Sequence, residues 1–229
     1  MKWIVIILVL IVAAAVGNYW YDGYSARSAL LQQPVYHVIR KHEPQLFDKI
    51  VEEYQVFERN ESRREDFVNF ANHEISLAAT QHLAHASQES LLALVRDMVS
   101  TARKLEKEPG DTCFRYRFPL VSGPPDVARV IDAKSQAHTL ELMGDVIRSA
   151  EENPVPLPEG GNVKDNLANV INATYERYGA DAQMMAHADD ERVDRAKVCT
   201  ITISVYDRIL ELPPQQAAEL IRAMTQVRK

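Results

Sequence analysis

The sequence predicts an all-α protein: a single N-terminal transmembrane helix followed by a multi-helix globular domain that one disulfide closes. Three observations lead to this fold class. The chain opens with an unbroken apolar run, apolar residues then recur every three or four positions, and two cysteines lie far apart in the sequence. With 229 residues, the chain is long enough for one domain with a substantial core.

Residues 1–21 are predicted to be a membrane anchor. Lys2 precedes an apolar run from Trp3 to Val16, and an aromatic cluster ends at Tyr21. A helix from Trp3 to Tyr21 would span roughly 28 Å at about 1.5 Å per residue, close to the thickness of a bilayer's hydrocarbon core. Aromatic residues at both ends are typical of a membrane interface. The alternative is a cleaved signal peptide, with Ala13–Ala15 as the cleavage site.

The rest of the chain is expected on the exported side of the membrane. A two-residue tail with one lysine is typical of a signal anchor. Arg27 and Lys41 on the far side weaken the charge asymmetry, so the positive-inside rule does not decide the orientation. We expect residues 22–43 to be a connector and residues 44–229 to form the helical domain.

Three helices are predicted in the first half of this domain. Residues 44–60 place six apolar side chains on one face. Ser62 opens a second helix with capping-box spacing, and that helix runs through about Ala86. Ser87 caps a third helix, which ends near Pro109.

The next segment, 111–125 (DTCFRYRFPLVSGPP), is predicted to be extended or irregular because its aromatic residues alternate with arginines. Another helix starts at Pro124 and runs to about Asn153. The Pro- and Gly-rich residues 154–161 are either a boundary between two subdomains or a loop inside one domain. Further helices are predicted at about 162–178, 189–211 and 214–227.

Residues 199–206 (CTITISVY) permit two interpretations. Their β-branched side chains favour a strand when the stretch is taken alone. However, apolar residues recur at helical spacing through this region, and a lone strand would have no pairing partner. We therefore predict a helix whose apolar stripe contains Val198, Ile201, Val205, Ile209 and Leu212.

The two cysteines, Cys113 and Cys199, could bind a metal, act in catalysis, pair with each other or stay unpaired in the core. Neither has the neighbouring Cys or His that a zinc site requires, and no cysteine-hydrolase signature surrounds either one. In an exported chain, two cysteines most simply form a disulfide, whereas in a cytosolic chain they would be unpaired core residues. We predict the disulfide.

His82 and His85 are the candidate metal ligands. On one continuous helix they would lie about 60° apart on the apolar stripe, where both could reach one ion. Glu74 lies about 12 Å along the helix from His82, and Ser87 ends the helix before Glu89, so neither glutamate is an obvious third ligand. The simpler interpretation is two histidines packed or hydrogen-bonded near a helix end.

Charge and motif content argue against several function classes. A net charge of −6 is unlike the basic surface of a nucleic-acid-binding protein. The chain has only 8 glycines and lacks phosphate-binding, dinucleotide-binding and nucleophile-elbow motifs. We expect no cofactor and no nucleic-acid partner. Met184 and Met185 beside His187 would suit copper but are more simply a hydrophobic helix segment.

The stretch 193–224 (VDRAKVCTITISVYDRILELPPQQAAELIRAM), together with CFRYRFP upstream and the N-terminal anchor, resembles a group of uncharacterised membrane-anchored helical proteins of proteobacteria. Some of these carry the label "topoisomerase II", and the group offers no catalytic residues to carry over. A type II topoisomerase needs an ATP-binding domain, an acidic metal site and a DNA-cleaving tyrosine in a large basic clamp, whereas this chain is short and acidic. Tyr206 lies on an apolar helical stripe and is interpreted as core, so we reject that activity.

Two function hypotheses remain. The first is a non-enzymatic interaction or envelope-accessory protein of the bacterial inner membrane. Its N-terminal helix lies in the membrane, its soluble domain faces the periplasm, and its protein partner is unknown. The second is a metal- or small-ligand-binding protein that uses His82 and His85, and a hydrolase is one form of this hypothesis.

Overall fold

A computed structural model describes residues 25–59, 64–123, 125, 127–158 and 161–226. The predicted anchor, residues 1–21, lies outside the described residues. Among the helices in these ranges, none has both the length and the apolarity needed to cross a bilayer.

The described part of the chain consists of helices joined by turns and loops and contains no strand, which confirms the predicted all-α class. Residues 25–30 are helical, and 3-10 turns span Val127–Arg129 and Gly179–His187. The stretch CTITISVY lies inside a helix, as its apolar spacing predicted. The α-helices, labelled here in chain order, are α1 (Pro34–His42), α2 (Pro44–Arg59), α3 (Arg64–His82), α4 (Gln88–Leu105), α5 (Thr112–Arg117), α6 (Pro119–Ser122), α7 (Ala133–Glu152), α8 (Gly161–Tyr178), α9 (Arg195–Glu211) and α10 (Pro214–Gln226).

The described residues form two compact units that divide after Ala78, called here the first and second units. In the first unit, α1 packs against α2. Tyr54 and Phe57 of α2 contact Phe67 of α3, with ring centroids 5.1 and 5.9 Å from that of Phe67. The segment 22–43, predicted as a connector, therefore includes a helix that contributes buried side chains. These are Val35, Tyr36 and Ile39.

The second unit is organised around α4 and α9. Helix α4 packs against α5, α7, α9 and α10, and α9 also contacts α5, α8 and α10. This arrangement buries one face of each helix, as the apolar spacing requires. Large side chains that are fully buried in the unit include Leu91, Leu105, Ile147, Ile201, Ile209 and Leu220.

Side-chain caps explain where three helices of this unit begin. Ser87 accepts a hydrogen bond from the backbone N–H of Ser90 at 3.2 Å, which confirms the predicted start of α4. Asp132 caps α7 in the same way, and Asp194 caps α9. The predicted helices near Pro124 and residue 189 therefore begin later than expected, because each regular helix starts at its capping carboxylate.

The segment 111–125 was predicted to be extended or irregular, and this prediction is wrong. Residues 112–117 and 119–122 form the short helices α5 and α6. Phe114 and Phe118 are four residues apart and stack with ring centroids 4.9 Å apart, which is a helical contact. The alternation of aromatic residues with arginines hid this spacing. Gly123 ends α6 with a φ of 71°, in the left-handed region that favours glycine.

The second predicted helix ends earlier than expected, and the loop 154–161 is not where the two units divide. Helix α3 stops at His82 rather than Ala86. The division between units falls after Ala78, inside α3. In the described part of the loop, the Val155 N–H donates to the His85 carbonyl at 2.8 Å. This bond ties the loop to the residues before α4 within the second unit.

Candidate functional site

The structure pairs Cys113 of α5 with Cys199 of α9 as a disulfide, with the Cα atoms 6.0 Å apart. This agrees with the predicted pairing. Both residues are buried, with exposed fractions of 5% and 1%. Because a nucleophile must be accessible to substrate, this burial indicates a structural role.

An apolar cluster includes the sequence neighbours of both cysteines, Phe114 and Val198. Phe114 follows Cys113 and is fully buried together with Val198, and Ala188 completes the buried set. Phe118, Met184 and Val193 pack against this cluster. Met184 is therefore in contact with the core, which agrees with its interpretation as a hydrophobic residue rather than a copper ligand.

The two predicted metal ligands lie near the start of α4 in the second unit. His82 is the last residue of α3, and its Nδ1 lies 3.4 Å from a carboxylate oxygen of Glu151. His85 lies in the following turn, and its Nδ1 is 3.0 Å from the carbonyl oxygen of Val155. Because α3 ends at His82, the two imidazoles are not held by one continuous helix, contrary to the geometry assumed from the sequence.

Three serine hydroxyls at the start of α4 and on α7 form a hydrogen-bond network. Ser90 Oγ lies 2.8 Å from Ser87 Oγ and 2.7 Å from Ser149 Oγ. The backbone N–H of Ser87 donates to Ser149 Oγ at 3.1 Å. The network joins the start of α4 to α7, and these contacts engage every hydroxyl oxygen in it.

No group of three or more His, Cys, Asp or Glu side chains in the described ranges is close enough to hold a metal ion. Glu74, one of the glutamates considered with His82, pairs with Lys49 at 2.9 Å in the first unit. The metal site at His82 and His85 stays a prediction.

Arg222 of α10 is a buried cation that sequence reasoning did not single out. It is 4% exposed, and its Nη2 donates to the carbonyl oxygen of Ala86 at 2.8 Å. Its Nε has no hydrogen-bond partner among the described residues. Burial lowers the pKa of the guanidinium. The bond to Ala86 fastens α10 to the chain just before α4.

Two exposed apolar surfaces stand out in the second unit. The first is the α8 stripe, defined as Leu167, Ile171 and Tyr175, whose exposed fractions are 37%, 44% and 43%. These residues recur every four positions over two turns of α8. Val170 and Thr174 lie on the adjoining, buried face. Helix α8 therefore packs against α9 and α10 with one face and exposes an apolar flank.

The second surface is the apolar tip, defined as residues 119–121 of α6. Leu120 is 91% exposed and Val121 is 42% exposed. Burying a leucine side chain is favourable by about 1.5 to 3 kcal/mol, and the exposure of Leu120 leaves this free energy available to a contact. Neither surface was predicted. The spacing of residues 167, 171 and 175 was visible in the sequence, but spacing alone does not distinguish an exposed flank from a core face.

A shallow depression of about 520 Å³ lies between the 3-10 turn and the start of α9. Its lining includes His187 and the ion pair between Asp190 and Arg192. Hydrogen bonds from the side chain and backbone of Arg192 lower the pKa of Asp190 to about 2. Asp190 and Arg192 use their charges on each other, and Asp194, the cap of α9, is the other carboxylate in the lining.

Comparison with known proteins found no match to any family model, to any curated protein or to any solved structure.

Proposed function

We propose that the chain is an exported protein of the bacterial inner membrane, anchored by its N-terminal segment, whose helical units face the periplasm and bind a partner protein. The buried Cys113–Cys199 pair is the observation that carries the export part of this proposal. The apolar run from Trp3 to Val16 supports the anchor.

Disulfides persist in oxidising compartments and are rare in the cytosol. In a reducing compartment, the same two residues would be buried thiols. The pairing of a chain's only two cysteines, 86 positions apart, is therefore better explained by residence in the periplasm than in the cytosol.

The binding part of the proposal is supported by the α8 stripe. Side chains spaced four residues apart form a ridge, and such a ridge packs into the groove between the ridges of another helix. Leu167, Ile171 and Tyr175 present this ridge on the surface of the second unit. A helix of a partner protein is the element that fits it.

Export is tested by the thiol state of the two cysteines in cells. Intact cells are quenched with acid and the protein is denatured, so that buried thiols also react. A maleimide of large mass is then applied with and without prior reduction, and the shift of the protein is measured on a denaturing gel. We expect no labelled cysteine before reduction and two after it. Two labelled cysteines without reductant would contradict export. Extraction of membranes with alkaline carbonate tests the anchor separately, since an inserted protein stays in the pellet.

Partner binding is tested with a photo-crosslinking amino acid at position 171, and with the same amino acid at position 169 as the control. Asn169 is an exposed polar residue on the same helix. We expect a discrete crosslinked product from position 171 that Leu167→Asp abolishes. Equal products from both positions, or products insensitive to Leu167→Asp, would refute a binding role for the stripe. A product of twice the chain's mass would identify a second copy as the partner.

The alternative is a metal- or small-ligand-binding protein that uses His82 and His85, and the proximity of His82 to Glu151 favours it. Metal analysis of protein purified without an affinity tag tests it, with His82→Ala and His85→Ala as controls. Bound metal in stoichiometric amount that both variants lose would support the alternative. Its absence in the wild-type protein would exclude a metal site.

A further inference from the structure

We infer that the apolar tip, residues 119–121, enters the interfacial region of the membrane into which the N-terminal segment inserts. This inference rests on the proposed function, because it requires the chain to be anchored in a bilayer. It adds a second membrane contact, made by the second unit.

The tip presents apolar surface that the protein itself does not cover. Leu120 is 91% exposed and its neighbour Val121 is 42% exposed. Both belong to α6, which is only 4 residues long and projects after the stacked pair Phe114 and Phe118. Side chains on so short a helix form a small convex projection rather than a groove.

The base of the tip is held firmly in the second unit. Cys113 is bonded to Cys199, and Phe114 is fully buried. Arg115 donates from Nε to the carbonyl oxygen of Gly123 at 3.3 Å, which joins the start of the projection to its end. The tip can therefore enter a membrane without first being ordered, and preorganisation lowers the entropic cost of binding.

The charges at the base suit an anionic membrane surface. The segment 112–123 contains two arginines, Arg115 and Arg117, and the acidic residue that precedes it, Asp111, is paired with Arg195. The guanidinium of Arg117, two residues before the tip in sequence, lies 4.6 Å from the ring centroid of Tyr206 on α9. Basic residues next to inserted apolar side chains are the pattern by which proteins bind anionic lipid headgroups.

A bilayer fits this projection better than a protein partner does. A convex tip with one fully exposed leucine would need a preformed pocket on a protein, whereas the fluid boundary between headgroups and acyl chains accepts it without one. A single membrane anchor also raises the local concentration of lipid around the tip, so a weak contact is sufficient.

The test uses the full chain reconstituted into vesicles of phosphatidylcholine and phosphatidylglycerol. The variant Val121→Cys carries a nitroxide spin label, and Glu141→Cys is the control at an exposed polar position of α7. Labelling without reductant is selective because both native cysteines are paired and buried. Power-saturation measurements compare collisions of each label with oxygen, which enriches in acyl chains, and with a water-soluble nickel complex.

We expect the label at position 121 to collide preferentially with oxygen and the label at position 141 to collide preferentially with nickel. Leu120→Asp in the Val121→Cys background should lower the ratio of inserted to solvated tip by about tenfold or more, given the transfer free energy of a leucine side chain. Vesicles of phosphatidylcholine alone should also reduce insertion, because they lack the negative charge.

Each negative result would contradict a different part of the proposal. If the protein does not float with the vesicles, the anchor and the proposed location fail. If it floats but the label at position 121 is as accessible to nickel as the label at position 141, the tip does not enter the bilayer. A label at position 121 that becomes immobile yet stays accessible to nickel would show a protein contact instead, and this also overturns the inference.

Discussion

Breaking the Cys113–Cys199 disulfide is expected to destabilise the second unit while leaving its fold intact. The bond closes a loop of 86 positions between α5 and α9. Both helices also contact α4, and α9 further contacts α8 and α10, so the native contacts persist without the bond. The main effect of reduction therefore lies in the unfolded chain, which gains conformational freedom.

The magnitude follows from the length of the closed loop. On the chain-entropy model, a loop of this size restricts the unfolded state by about 4.6 kcal/mol at 25 °C. For a unit of about 150 residues, each kcal/mol corresponds to a change of about 2 to 4 °C in the melting temperature. Reduction should thus lower the melting temperature of the second unit by about 9 to 18 °C, with the larger value as an upper bound.

The assay is calorimetric unfolding of the wild-type protein with and without reductant. The number of free thiols is counted by mass spectrometry after alkylation. The variant carrying both Cys113→Ala and Cys199→Ala is the control, and its transition should not respond to reductant. The comparison within the wild-type protein isolates the bond, because the alanine variant also loses two buried sulfur atoms.

One result would refute this reasoning. If the thiol count rises from zero to two while the transition temperature stays the same, the bond does not restrict the unfolded chain. A count of two before any reductant is added would mean instead that the pair is not bonded in the purified protein.

Three further predictions concern single residues. Ser87→Ala should lower the free energy of unfolding in urea by about 1 kcal/mol because α4 loses its cap, whereas Ser100→Ala, at an exposed position within the same helix, should change it little. The carboxyl group of Asp190 should titrate by NMR with a pKa of about 2, and Arg192→Gln should return this pKa toward 3.8. The bonds from Arg192 to Asp190 therefore stabilise the fold above about pH 4, and this contribution is lost as the pH falls toward 2. Burial raises the pKa of Tyr36 to about 12. The stability that its neutral form contributes is complete below about pH 10 and is lost as the pH rises toward 12. Tyr36→Phe should remove one tyrosine that ionises near pH 12 from the phenolate absorbance titration. Each prediction has an outcome that would contradict it. For Ser87→Ala, this is an unchanged urea midpoint; for Asp190, a pKa near 3.8 in the wild-type protein; and for Tyr36→Phe, an unchanged titration curve.

Local signals in the sequence predicted most of the fold. Ser87 marked the start of α4 because a serine hydroxyl can satisfy a free N–H of the first turn. Helical spacing correctly outweighed β-branched composition in CTITISVY, because burial on one face of α9 is a property of the whole helix. The short helices α5 and α6 were missed because tertiary contacts stabilise them. A helix of 6 residues is unstable alone, and the burial of Phe114 holds it in place.

The candidate surfaces were harder to predict. His82 and His85 were placed on one helix because the pattern continued to Ala86. The cap at Ser87 was predicted, but α3 already ends at His82, four residues before the last predicted position, so His85 lies in the turn between the two helices. The exposure of Leu120 depends on which elements pack around α6, and that information is not local. The cysteine pairing was predictable because it was inferred from the expected compartment rather than from spacing.

The disulfide and the apolar tip are connected through α5, and this connection has a measurable consequence. Helices α5 and α6 have 6 and 4 residues, so neither is stable without tertiary contacts. Cys113 and Phe114 are the buried contacts that hold α5, and Cys113 is also the bonded residue. Reduction should therefore increase amide hydrogen exchange in residues 112–123 more than in the buried middle of α9. An equal increase in both segments would show that reduction destabilises the second unit as a whole, without a local effect on the tip. A larger increase in residues 112–123 than in α9 would mean that the disulfide maintains the local structure of the apolar tip. An oxidising compartment would then preserve the surface that we propose contacts the membrane.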